Sequence, residues 1–198
     1  MDKLTCDWQI QDPQTNAKGA RSGKVTAKDD GSRFQFNLGS KDQPVYSPFG
    51  ATSFGDEFAT PRTIEFSLSA EQNAEFARFE EWAVQYISAN SERLLKKTLS
   101  YEQVKAAYKS PVTRREGYKP HVRAKINTAG SSPCRCWDIN GDRTELPADQ
   151  LRGVPLLPRL CLSHMWVMSK EIGFCFLCQD LMVCQALETC PFSMGMET

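Results

Sequence analysis

The hydrophobic period of this 198-residue chain switches twice, and the order of those switches limits its architecture more than any motif does. Arg33-Phe34-Gln35-Phe36-Asn37-Leu38 and Thr63-Ile64-Glu65-Phe66-Ser67-Leu68 alternate polar with apolar residues, the pattern of half-buried strands. From Ser69 the period becomes helical, with Phe76, Phe79, Ala83, Tyr86 and Ile87 on one face. Ser69 and Gln72 match a capping box, in which each side chain satisfies the other's free backbone N–H; Ser100 and Gln103 repeat it. Between them Asn90-Ser91 breaks the pattern and a short turn carries Leu94-Leu95. The second box opens a helix that Pro111 stops.

Period two returns at His121-Val122-Arg123-Ala124-Lys125-Ile126, which sets an apolar row opposite a basic one. Residues 134–139 form a short strand before Asn140-Gly141, a strong hairpin-turn dipeptide. Two apolar strands, 154–168 and 172–184, close the chain around a tight turn at Ser169-Lys170-Glu171. Helices inserted once between strands, not alternating with them, predict a mainly-β (α+β) fold. The expectation is a small curled antiparallel sheet or barrel with a helical insertion at about 69–110. One domain over 1–184, followed by a tail over 185–198, is expected. Residues 1–32 are read as polar, with Lys18 to Lys24 a flexible basic segment. Residues 39–61 are read as a long loop, broken by glycine, proline and serine, that keeps the rings Tyr46, Phe49, Phe54 and Phe58. Those rings either pack back on the domain or face a ligand.

A chain of this size buries roughly 70% of its unfolded surface, enough for a core without staples. No apolar run reaches the roughly 18 residues of a membrane span, and the start MDKLTCDWQI lacks the apolar centre of a secretory signal. An intracellular, reducing location is expected, with the eight cysteines as thiols. Phosphate-cradling glycine loops and a GxSxG elbow are absent from the sequence, and His121 and His164 are its two histidines. The chain is therefore expected not to be an enzyme and to need no cofactor. Cys175-Phe176-Leu177-Cys178 has the C-x-x-C form, but on a strand an offset of three sends the thiols to opposite faces. Cys134 and Cys136 share a face, and all four are read as small buried hydrophobes. No metal site is expected, and Trp166, ending an apolar strand, is expected in the core.

Charge is the feature composition hides. The chain holds 24 basic and 24 acidic residues, yet ten basic residues from Arg93 to Lys125 meet two acidic ones, a local charge of +8. A solubilising helix face accounts for Lys105 and Lys109. The remainder runs past Pro111 into a strand where basic residues alternate in register, with Tyr101, Tyr108 and Tyr118 threaded through. Basic groups tracking a backbone, with rings nearby, suit single-stranded nucleic acid. An acidic protein partner for the basic face is the alternative.

Four stretches stand in a definite order and spacing: Pro48-Phe49-Gly50 with the strand into Leu68; the amphipathic helix leading to 90–100; Tyr118-Lys119-Pro120 with the strand after it; and Gly153, the strand to Trp166, Lys170, Gly173 and the strand to Val183. Together they resemble the single-stranded-DNA-binding proteins of short-tailed phages and large nucleocytoplasmic DNA viruses. The resemblance spans about residues 16–184. It implies an OB-fold barrel with a helical insertion that covers single-stranded DNA without sequence preference, in replication, recombination or repair. Replication proteins would be its partners, a nucleus or a viral replication site its location, RNA an alternative strand, and the chain a monomer or homodimer. The tail departs from the acidic tail such proteins often carry, since Glu188 and Glu197 are its acidic residues. Backbone contacts are expected from Lys96, Lys97, Arg114, Arg115, Lys119, Arg123 and Lys125. Stacking is expected from Tyr118, Trp137, Tyr46, Phe49 and Phe54.

Overall fold

In the computed structural model, which describes residues 4, 8–15, 19–52 and 61–185, seven strands precede the helices. They are β1 (Trp8–Ile10), β2 (Gln14–Thr15), β3 (Arg21–Ala27), β4 (Gln35–Asn37), β5 (Val45–Tyr46), β6 (Ala51–Thr52) and β7 (Arg62–Ser67). Three helices follow: α1 (Ala70–Ala89), α2 (Ser91–Leu95) and α3 (Tyr101–Ala107). Then come β8 (Tyr108–Lys109), β9 (Val112–Thr113), β10 (His121–Ile126), β11 (Arg135–Trp137), β12 (Arg143–Thr144), β13 (Pro155–Met168) and β14 (Glu171–Val183). The helical insertion thus joins β7 to β10, which are antiparallel neighbours from His121–Ser67 to Ile126–Arg62. Both capping boxes form, Ser69 with Gln72 and Ser100 with Gln103. No helix among the described residues is long and apolar enough to cross a membrane.

The long hairpin β13–β14 organises the sheet. Its turn is two residues, with Met168 opposite Glu171 and Ser169 at φ 51°. One edge of β13 takes β14 along its length; the other takes β5, β4 and β3 in succession. β14 continues the sheet to β10, then β7 and β6. Because β5 and β6 belong to one strap, residues 45–52, its two ends lie on β13 and β7 and close the ring. The long loop expected at 39–61 is, over these residues, part of the wall. Register shifts at Arg159/Leu160 and Leu162/His164 bend β13, as extra residues in one strand of a pair do.

Two expectations are corrected. The sheet is mixed: β14 runs parallel to β8, β10 and β11. A parallel pair needs a long crossover, and residues 127–170 supply it between β10 and β14. The N-terminal segment is not a flexible basic stretch over its described part. β3 pairs with β13, and a Cβ on Gly23 would lie 2.7 Å from the Gln11 carbonyl oxygen, so this glycine allows close strand approach.

The core is one cluster running from Leu4 to Val183. Trp8 is fully buried, donates from Nε1 to the Leu4 carbonyl at 2.7 Å, and meets Trp82 of α1 at 4.4 Å between ring centroids. Phe76 and Phe79 of α1 press on Phe176 at 5.7 and 5.8 Å. Edge-on ring pairs of this kind add about 0.5–1.5 kcal/mol each beyond area burial. Val122, Ala124 and Ile126 are buried as the alternation predicts, so the opposite row of β10 faces outward.

Candidate nucleic-acid interface

The outward row of β10 lies between two concavities that share Arg123. The first, about 380 Å³, is lined by Phe49, Arg115, Tyr118, Lys119, His121 and Arg123, over Glu65 and Thr113. Its rings are held out by backbone devices. Pro48-Phe49-Gly50 turns at Gly50, φ 69°, whose N–H donates to the Ser47 hydroxyl at 3.0 Å. Tyr118 follows Gly117, φ 78°, in a turn where its own N–H donates to the Arg115 carbonyl at 3.2 Å. Phe49 is 58% and Tyr118 74% exposed, values a ring with a packing role seldom has.

The second concavity is larger, about 860 Å³, and lies on the outer face of β10, β14, β13 and β3. Arg123, Lys125, Arg21 and Lys109 stand around it, with His164, Trp166, Cys175 and Leu177 within. Trp166 was expected in the core and is instead half-buried on this outer face. It sits opposite Gly173, where a Cβ would press into the indole, within 2.7 Å of Cε2. The absence of a side chain at Gly173 lets the ring lie on the strand. Burial lowers the His164 pKa below the usual histidine value, leaving the ring neutral at pH 7.

Charge here is unevenly spent. Arg123 pairs with Glu65 at 3.1 Å, Lys109 with Glu171 at 3.0 Å, and Lys125 donates to the Thr63 hydroxyl at 2.9 Å. Among the described residues Arg115 and Lys119 have no ion-pair partner. Arg114, adjacent to Arg115, points the other way: it pairs with Glu80 at 2.9 Å and donates to Asn73 at 2.9 Å, tying the 110–114 segment to α1. Arg93 likewise holds the N-terminal segment, donating to the Ile10 carbonyl at 3.0 Å and pairing with Asp12 at 2.8 Å.

The expected site residues therefore divide. Phe49, Arg115, Tyr118, Lys119, Arg123 and Lys125 come together around the two concavities. Lys96 and Lys97 are exposed just past α2 and line neither concavity. Tyr46, on β5, is 47% exposed and lines neither. Trp137 lies toward the other end of β14, opposite Met182, and donates to Asp180 at 3.2 Å in a cluster with Arg135 and Arg159. Phe54 lies outside the described residues. Trp166, Arg21 and Lys109 of the larger concavity were not among the expected contacts. For Trp166 a signal existed: counting back from the two-residue turn puts it opposite Gly173.

The thiols behave as packing. Cys175 borders the groove while Cys178 is buried on the core side, its Sγ 3.9 Å from that of Cys134. Contact with Cys134 and burial hold the Cys178 pKa well above its usual value, and burial pushes Cys136 to about 11. Among the described residues no three metal-ligating side chains converge.

No family model matches the chain, and no curated protein does. Solved structures do. The chain is similar to gp2.5, a single-stranded DNA binding protein encoded by bacteriophage T7, at 8% identity over 81% of this chain and 92% of that one, with a TM-score of 0.51. The single-stranded DNA-binding protein from bacteriophage Enc34 aligns at 10% identity over 96% of both chains, TM-score 0.48. That protein in complex with ssDNA aligns at 8% over 91% of this chain and 97% of that one, TM-score 0.49. At 8% identity the T7 likeness establishes a shared fold: an OB-like barrel with a helical insertion.

Proposed function

We propose that the chain binds single-stranded DNA without sequence preference, as a stoichiometric cover supporting replication, recombination or repair. The observation that carries this is the convergence of two exposed rings, Phe49 and Tyr118, with Arg115, Lys119 and Arg123 in one concavity. That concavity opens at Arg123 onto a basic groove containing Trp166. Rings accept any base by its π-face, each stacked base contributing about 1–3 kcal/mol, and cations follow the backbone. A duplex hides its base faces and gains little from such a surface. The shared fold with gp2.5, a single-stranded DNA binding protein by its name, supports the same conclusion.

The test is anisotropy of a labelled dT oligomer of about 30 nucleotides, titrated at two salt concentrations with duplex and RNA competitors. Single-strand binding that weakens with salt and resists duplex competition is expected. Arg115→Ala with Lys119→Ala should make the slope of log K against log salt shallower by about 1.4, at about 0.7 per phosphate contact. Absence of binding at low salt would end the proposal and leave the basic face to an acidic protein partner.

A further inference from the structure

The groove does not end at Trp166. The outer face of β14 continues it through alternate residues, Gly173, Cys175, Leu177 and Gln179. At about 3.3 Å per residue, that floor is roughly 20 Å long. Leu177 lines the groove and also two further concavities, of about 400 and 530 Å³. The nearer one carries Lys24 and Arg33; the farther one shares Arg33 and adds Arg135 and Arg143. The four concavities thus form one path, joined by Arg123, then Leu177, then Arg33.

The electrostatics of the path are one-sided. Among the described residues lining it, the carboxylates are Glu65, Glu171 and Asp12, and each already pairs with a cation, Arg123, Lys109 and Arg93 respectively. Lys24, Arg33 and Arg143 are exposed and have no ion-pair partner among the described residues. Arg135 shares Asp180 with Arg159, so two guanidiniums meet one carboxylate. Unpaired cations spaced along a concave strip are arranged for a chain of phosphates, not for a single anion.

We infer, building on the proposed single-strand binding, that the bound strand runs the length of β14 and that Arg33 and Arg143 form a second phosphate-binding segment at its far end. The chain then has two occupancy regimes. A short oligomer is held at the ring-bearing end by Phe49, Tyr118 and Trp166. A longer one, within the roughly 4–16 nucleotides an OB fold covers, also reaches the arginine furrow.

The experiment compares dT5 with dT15 on the full chain and on Arg33→Ala with Arg143→Ala. Both arginines are exposed, so the variant should melt as the parent does. It should bind dT5 as the parent does and dT15 roughly tenfold more weakly at low salt, with a salt slope on dT15 shallower by about 1.4. Unchanged binding of both oligomers, or equal weakening of both, would overturn the two-segment path while leaving single-strand binding intact. Failure of the parent to bind either oligomer would remove the proposed function itself.

Discussion

Gly173 shows how one residue sets the character of a surface. With any side chain there, the Trp166 ring would be pushed off β14, because the position it occupies is the volume a Cβ would need. Gly173→Ala should cost about 1–3 kcal/mol, the usual penalty of forcing atoms into filled space. A lowered Tm with red-shifted tryptophan emission would confirm it; an unchanged melt would show that the indole rearranges freely. The same scale explains why the basic run is not one functional unit. Arg114 and Arg115 are neighbours in sequence, yet one is spent on Glu80 and the other meets solvent. Charge density is visible in a sequence, but a partner 34 residues away is not.

Among elements, the helices were the most legible. Capping boxes are local: four residues contain both donors and both acceptors, so Ser69 with Gln72 and Ser100 with Gln103 are readable without knowing what the helix packs on. Ser69→Ala should destabilise the protein by about 1 kcal/mol, measured by denaturant midpoint at constant slope. No loss would mean that ring packing of α1 on β14 alone holds the helix start. The alternations in β7 and β10 were equally readable because each strand has one buried face. β5 and β6 were missed for the opposite reason. Two-residue strands carry no period, and they exist because β13 and β7 offer edges on both sides of the strap.

For the whole molecule, stability is coupled to pH through His164. Burial keeps its folded-state pKa below the unfolded value of about 6.5, so the unfolded chain takes up the proton first as pH falls. That contribution is fully present above about pH 6.5 and is lost as pH falls through the lowered folded pKa. Denaturant midpoints between pH 7.5 and 5 should therefore fall, and His164→Gln should flatten the decline. A midpoint that rises toward pH 5 would contradict the neutral, half-buried ring.

The residue pattern alone determined the mainly-β class, the place of the helical insertion, both helix starts, the long terminal hairpin and a basic face on β10. All of these rest on periodicity or on contacts within four residues. Tertiary structure decided which groups gather on that face. It closed the barrel through the strap, made the β10–β14 pair parallel, and withdrew Arg93 and Arg114 into ion pairs. It also brought Phe49, Tyr118, Trp166 and Arg33 onto one path from four separate parts of the chain. The physical reason is the same in each case: these outcomes depend on which surfaces meet across the sheet, and strand pairing sets that over sequence distances no local period records.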